Sequence, residues 1–124
     1  MKNRNPKNLN LFTIRLPMPA MVSILHRVSG VVLFVLMPIL TISLYWSLKN
    51  ENIFNWISVL FDTTLFKLIK CLMFWGIIHH LIAGTRHLLL DLHFGVDLIV
   101  ARMTSKIVLI VSLLVTLAAG VWLW

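Results

Sequence analysis

Three long apolar segments, separated by polar ones, dominate the pattern of side chains along this sequence. The first, 28–48, contains no Asp, Glu, Lys or Arg. A helix of that length reaches about 31 Å at ~1.5 Å per residue, which is enough to cross a hydrocarbon core of ~30 Å. The second covers 66–91, if Lys67 and Lys70 extend towards the headgroups. The third covers 105–124, so we predict an all-α membrane protein with three transmembrane helices.

The segments between these spans are predicted to be connections. Residues 49–66 form a connecting segment with some interfacial character, because asparagines interrupt the apolar run and tryptophans suit the headgroup boundary. Residues 92–104 form the second loop. Pro38 lies inside the first span, and we expect it to kink the helix without ending the span. The sequence contains no internal repeat, so residues 1–124 are predicted to form a single domain.

Composition makes a lipid membrane the natural solvent for this chain. Of its residues 60% are apolar and 12% are charged, whereas soluble domains carry about 25% charged residues. The 11 Lys+Arg against 4 Asp+Glu give a formal charge of +7. Nucleic-acid-binding proteins combine a basic face with a water-soluble body, so a nucleic acid partner is not expected. The one cysteine, Cys71, excludes an internal disulfide and a cysteine-ligated metal site built by this chain alone.

Basic residues near the spans predict their orientation. They are concentrated before the first span and around the second loop, at Lys2, Arg4, Lys7, Arg15, Arg27, Arg86, Arg102 and Lys106. The N-terminus and the second loop should therefore face the cytoplasm. No transit peptide is evident, which favours a bacterial inner membrane over a mitochondrial one. Three spans enclose little interior, so we expect partner subunits.

Polar side chains inside the second span need a reason, because polar groups within a membrane are costly. One stripe at helical spacing consists of Gly76, His80, Gly84, His87 and Asp91. Glycines one turn above and below His80 could clear space for a flat, bulky group such as haem, with the imidazole as axial ligand. Alternatively, the histidine hydrogen-bonds to another helix and the glycines permit close packing. A neighbouring stripe consists of His79, Arg86 and His93.

A second polar cluster, residues 23–30 (SILHRVSG), lies at the mouth of the first span. If a helix begins just after the two preceding prolines, Ser23 and Arg27 share a face at i, i+4. His26 and Ser29 then lie elsewhere around the same turns. A hydroxyl, an imidazole and a guanidinium at the membrane surface could hold haem propionates or a quinone carbonyl. The alternative is ordinary: a basic anchor and a helix-start serine.

Together the two clusters resemble a known family. Residues 23–30, followed by the pattern His80-x-x-x-Gly84-x-Arg86-His87-x-x-x-Asp91, resemble the cytochrome b556 subunits of succinate dehydrogenase. These are the larger of the two membrane anchors in the bacterial complex. The three-span layout and the N-terminal stretches 8–11 (NLNL) and 14–17 (IRLP) are also similar. The resemblance therefore covers nearly the whole chain.

The resemblance implies roles for the matching residues. His80 matches the axial ligand of haem b, whose second ligand is a histidine of the smaller anchor subunit. Ser23 and Arg27 match residues of the ubiquinone site, beside the iron–sulfur subunit. His26 and Arg27 match positions near the haem propionates. Supporting roles are assigned to the remaining motif residues, Gly84, His87 and Asp91.

One histidine departs from the family motif. His79 stands next to the proposed ligand, but only His80 shares a face with the two glycines of the stripe. The stripe therefore favours His80 as the ligand.

The resemblance also implies a subunit that is not a catalyst alone. Succinate would be oxidised at a flavin in a separate flavoprotein subunit. Electrons would then pass through iron–sulfur clusters to quinone near the cytoplasmic end of this chain. Two alternatives remain: an anchor of quinol:fumarate reductase, and a membrane scaffold subunit without a cofactor.

Overall fold

In a computed structural model, which describes residues 16–123 apart from the side chain of Leu123, the chain forms four α-helices. They are α1 (Met18–Lys49), α2 (Glu51–Asp62), α3 (Thr64–Asp91) and α4 (Leu98–Leu123). No strand occurs within residues 16–123. Helices α1, α3 and α4 are each long and apolar enough to cross a membrane. This confirms the predicted all-α class with three membrane-spanning helices.

Some sequence predictions concern residues outside that range. They are the N-terminal stretches 8–11 and 14–15, the basic residues before Leu16 that contribute to the predicted orientation, and the last residue of the third span, Trp124.

Helix α1 is longer than the uncharged run that predicted it. It begins at Met18, with Pro17 at the N-cap and a second proline in its first turn, where the fixed φ of proline suits a helix start. Residues 23–30 are therefore helical, and Ser23 lies one turn before Arg27. The helix continues through Pro38, so the first polar cluster and the first span belong to one helix.

Helix α2 was not predicted, because its asparagines looked like interruptions. Asn50 is instead the N-cap, and its side-chain oxygen accepts hydrogen bonds from the backbone N–H groups of Asn52 and Ile53 at 2.9 and 3.3 Å. Such a cap satisfies donors that a helix start leaves unpaired. Half-buried side chains recur at Ile53, Ile57 and Leu60, which is the spacing of an amphipathic helix.

Helix α3 is central and packs against α1 on one side and α4 on the other. A small core forms where the spanning helices meet, from one residue of each: Val22, Ala83 and Val108. Most other large apolar side chains of the spans are exposed. This pattern is expected for helices that face lipid or neighbouring subunits.

Helices α3 and α4 pair in an antiparallel register that two contacts define. At one end, a Cβ built on Gly120 would lie 3.7 Å from Sγ of Cys71, an ordinary packing distance. At the other end, Arg86 donates a hydrogen bond to the carbonyl oxygen of Ala101 at 3.0 Å.

The connection between α3 and α4 is shorter than the loop predicted from the sequence. Only residues 92–97 separate the helices, so Arg102 lies on α4. His93 and Gly95 both have left-handed backbone conformations, with φ of 64° and 73°. Because His93 lies beyond the end of α3, it does not continue the second stripe as the spacing predicted.

Candidate functional site

His80 faces α1 and is hydrogen-bonded through Nδ1. That nitrogen lies 3.1 Å from the carbonyl oxygen of His26 and 3.1 Å from Oγ of Ser29. Ser29 itself donates its hydroxyl proton to the same carbonyl at 2.8 Å. Because a carbonyl oxygen can only accept, the contact favours the tautomer that carries its proton on Nδ1. The lone pair for a ligand bond is then on Nε2.

Two glycines allow the imidazoles to lie between the helices. A Cβ on Gly30 would lie 3.0 Å from Cε1 of His80, so a side chain at that position would require the imidazole to move. A Cβ on Gly84 would lie 3.1 Å from Nε2 of His26. The space beside Gly84, which the spacing left open to either a flat cofactor or close helix packing, is therefore filled by His26. Gly76 differs, because a Cβ there would meet no atom of residues 16–123 within 4 Å.

Three imidazoles from two helices form a cluster. The rings of His26 and His80 are stacked, with centroids 4.2 Å apart and planes 13° from parallel. The ring of His87 is tilted against that of His26 at 5.1 Å. Its Nε2 is buried and has no hydrogen-bond partner among residues 16–123. The fold thus brings together three histidines that the two sequence motifs had singled out separately.

An apolar groove of about 250 Å³ opens between α1 and α3 beside this cluster. We call it the α1–α3 groove, and it is lined by Leu25, Val28, Ser29, Val32, Leu33, Leu36, Leu72, Met73, Trp75 and Gly76. Ser29 both lines the groove and contacts His80, so the groove and the imidazole adjoin. An apolar groove, a glycine that leaves one wall bare and an available imidazole lone pair fit the requirements of a haem.

The predicted quinone-site residues lie in the first turns of α1. Ser23 is half-buried, and Arg27, one turn further on, is exposed. Both Arg27 and Asp91 lie close enough to His87 to act on it electrostatically. These polar residues therefore gather at one end of the α1–α3 contact, where α1 begins and α3 ends.

In the neighbouring stripe of α3, Arg86 faces α4 and His79 lies in the interior of the bundle. His79 is 0% exposed and Arg86 is 7% exposed. Arg86 donates from Nε to Oγ1 of Thr104 at 3.1 Å and from Nη2 to the carbonyl of Ala101 at 3.0 Å. His79 is thus enclosed by this chain, whereas the adjacent His80 lies beside the groove.

Ser29 and Gly30 are the site residues that sequence reasoning did not select. Both belong to the motif at 23–30, but helical spacing placed Ser29 only somewhere around the same turns. Their importance depends on where α1 crosses α3, which periodicity along one helix does not specify. The usable signal was a hydroxyl followed by a glycine within an otherwise apolar helix, a combination that permits close helix contact.

Comparison with known proteins identifies the class to which this fold and site belong. A sequence model of the family described as "Succinate dehydrogenase/Fumarate reductase transmembrane subunit" matches residues 1–119. The chain belongs to this family, whose members are subunits of membrane-bound oxidoreductase complexes.

Individual relatives narrow the class further. The succinate dehydrogenase cytochrome b556 subunit of Coxiella burnetii is 34% identical over 100% of both chains. Those of Rickettsia bellii and Rickettsia felis are 29% and 27% identical, over 93% of this chain and 90% of their own length. The resemblance found in the sequence motifs is therefore confirmed. The chain is a multi-pass bacterial membrane protein, a cytochrome b subunit of the succinate dehydrogenase and fumarate reductase family.

Proposed function

We propose that this chain binds haem b through Nε2 of His80 as the larger membrane anchor of a succinate dehydrogenase. The observation that carries the proposal is the pair of contacts on Nδ1 of His80. A hydrogen bond from the second ring nitrogen to a backbone carbonyl is the usual way in which proteins orient a metal-binding imidazole and fix its tautomer. His79 lacks this arrangement, because both of its ring nitrogens are buried and have no hydrogen-bond partner among residues 16–123.

The surroundings of His80 support the same proposal. Haem b would supply one-electron transfer at a potential set by its axial ligands and by the polarity of its surroundings. The side chains that line the α1–α3 groove are almost all apolar. Apolar surroundings disfavour the oxidised, more highly charged state of a haem iron. A histidine of the smaller anchor subunit would supply the second ligand of the iron. His26 and Arg27 would lie near the propionates.

Quinone would bind at the first turns of α1, next to the iron–sulfur subunit. The hydroxyl of Ser23 would donate a hydrogen bond to a carbonyl oxygen of ubiquinone. The guanidinium of Arg27 would stabilise the negative charge that develops on that oxygen as electrons arrive from succinate oxidation. Their position at one end of a spanning helix supports this role, because the iron–sulfur and flavoprotein subunits would dock at the same membrane surface.

The other motif residues would support these two sites. Gly84 leaves room for the ring of His26, which stacks on the ligand. His87 packs against His26 from the other side. Asp91 places a carboxylate near His87 and the basic end of α1. With the N-terminus in the cytoplasm of a bacterial inner membrane, this end of the bundle faces the compartment in which succinate is oxidised.

The test is a reduced-minus-oxidised absorption spectrum of membranes that contain the complete complex. We expect a b-type α-band in the wild type and its loss or displacement in His80→Leu. We expect no change in His93→Leu, which makes the same replacement in the exposed connection between α3 and α4. An unchanged band in His80→Leu would remove His80 as the ligand. Absence of a band from the wild-type complex, with all subunits present, would favour the cofactor-free scaffold.

A further inference from the structure

His79 is the buried polar residue that the proposed function does not use. It is 0% exposed, and neither Nδ1 nor Nε2 has a hydrogen-bond partner among residues 16–123. The backbone of Val22 on α1 lies beside the ring, but outside hydrogen-bonding geometry. A buried polar group without a partner calls for an explanation.

The position of His79 in the bundle is defined by the register of α3 and α4. Cys71 lies opposite Gly120, and Arg86 lies opposite Ala101. His79 is between these two levels, and interpolation places it level with residues 108–112 of α4. The backbone of Val22 on α1 lies beside the ring. Ala83, one turn further along α3, packs with Val22 and with Val108 of α4, so the fully buried imidazole lies in the interior of the bundle. An enclosed ring of this kind is a fixed surface against which another side chain can pack.

Trp75 packs against that surface. The indole of Trp75 and the imidazole of His79 are stacked, with centroids 5.2 Å apart and planes 20° from parallel. The two residues are one turn apart on α3, the spacing at which side chains of a helix meet. Trp75 is only half-buried, and it lines the α1–α3 groove next to Gly76. One face of the indole is thus supported by the interior of the bundle while the side chain forms part of the groove wall.

We propose that His79 is a positioning residue for the α1–α3 groove: its enclosed, planar ring holds the indole of Trp75 in place and so sets the wall that a bound haem would contact. This inference rests on the proposed haem site. It assigns to adjacent histidines different tasks, since His80 would bind the iron and His79 would act only through Trp75. Because the planar shape of the ring holds Trp75 in place, a phenyl ring at position 79 should act as well as the imidazole.

The first experiment observes Trp75 directly and needs no haem signal. The complete complex is assembled with a 5-fluorotryptophan-labelled chain, and the fluorine resonance of Trp75 is assigned by its disappearance in Trp75→Phe. We expect this resonance to shift or broaden in His79→Ala and to stay at the wild-type position in His79→Phe. Val108→Ala is the control, because it removes buried apolar volume from the same interface level. We expect it to leave the Trp75 resonance in place.

The second experiment measures the haem in the same variants. We expect His79→Ala to displace the α-band maximum and the midpoint potential, and His79→Phe to keep both at wild-type values. If His79→Ala does not assemble, His79→Leu supplies the same test, since it keeps much of the volume but removes the planar ring.

Three outcomes would overturn the inference. In the first, His79→Ala and His79→Leu leave both the Trp75 resonance and the haem band unchanged. In the second, His79→Phe changes the Trp75 resonance and the haem band as much as His79→Ala does. That result would mean that the ring nitrogens, and not the planar shape of the ring, are needed. In the third, Val108→Ala moves Trp75 equally. Failure of the proposed haem site is distinguishable from all three, because it appears as an unchanged band in His80→Leu or as no band in the wild type.

Discussion

The two sides of α3 make contacts of different kinds, and the adjacent residues His79 and His80 fall on different sides. Towards α1, His80 is half-buried, with one ring nitrogen hydrogen-bonded and the other available. Towards the interior of the bundle, His79 is fully buried and both of its ring nitrogens lack hydrogen-bond partners within residues 16–123. A rotation of about 100° per residue along a helix is enough to separate a candidate metal ligand from an internal support.

Hydrogen bonding differs in the same way. On the α4 side, the buried hydroxyls donate hydrogen bonds to backbone carbonyls of their own helix. Ser105 donates to Ala101, Ser112 to Leu109, and Thr116 to Ser112. Arg86 links the two helices there with two hydrogen bonds. On the α1 side, Ser29 and the His26 carbonyl meet His80 across the helices. The α3–α4 contact is therefore built for packing, and the α1–α3 contact holds a side chain in a defined orientation.

Matched glycine substitutions give the largest expected contrast. Gly30→Ala should remove most of the haem, because its Cβ would lie 3.0 Å from Cε1 of His80 and would force the imidazole away. Gly120→Ala should keep wild-type haem content, since its Cβ would lie 3.7 Å from Cys71. Haem per complex, measured by pyridine haemochrome absorbance, checks both. Equal haem loss in the two variants would mean that the contacts do not differ in this way.

Removing the hydrogen bonds that join α3 to α4 should reduce the stability of the complex and leave the proposed haem site intact. Arg86→Leu removes two hydrogen bonds from a charged donor that joins α3 to α4. Such bonds contribute about 1.5–3 kcal/mol each, so we expect a lower thermal midpoint for the complex with an unaltered haem spectrum. Arg102→Leu, at an exposed position on α4, serves as the control. A displaced haem band at wild-type stability would contradict the assignment.

The quinone proposal predicts an intermediate effect confined to one substrate. Ser23→Ala should raise the KM for ubiquinone about five-fold, the equivalent of losing one hydrogen bond of about 1 kcal/mol. Succinate oxidation with a soluble artificial acceptor should stay at the wild-type rate. Ser58→Ala, on the exposed side of α2, should change neither. An equal fall with both acceptors would locate the effect in assembly rather than in quinone binding.

The smallest effect is expected at Gly84. In Gly84→Ala the new Cβ would lie 3.1 Å from the end of the His26 side chain, which can move by a few tenths of an ångström. Alanine is also favoured over glycine within a helix by about 1 kcal/mol, so stability should stay close to that of the wild type. We expect full haem content with a small displacement of the α-band, measured beside Gly30→Ala. Haem loss as complete as in Gly30→Ala would mean that Gly84 faces the cofactor itself.

Periodicity along the sequence predicted which residues share a face of a helix, and composition predicted that the helices lie in a lipid membrane. The stripe through Gly76, His80 and His87 and the pairing of Ser23 with Arg27 could therefore be obtained from the sequence. The helix that packs against each face could not be obtained from the sequence, because it depends on how the helices cross. This is why the spacing left two neighbours open for Gly84, a cofactor or a packed helix, whereas the structure shows that it accommodates His26.

Local chemistry accounts for the other differences. Asn50 interrupts an apolar run and was interpreted as a break, but the same side chain caps a helix and begins α2. His93 has the right spacing to extend the second stripe, yet it lies beyond the end of α3 with a left-handed backbone. Capping and termination depend on single residues, and a hydrophobic pattern averages over them.

Ligand rescue tests directly whether His80 binds the haem iron. In His80→Gly the imidazole is removed and a space of its size remains next to Gly30, so added imidazole can occupy the ligand position; in His80→Leu that space is filled. We expect a reduced-minus-oxidised α-band that is lost or displaced in both variants and is restored by imidazole in His80→Gly alone. A wild-type band in His80→Gly without imidazole would contradict this expectation, because the iron would then be held by another residue.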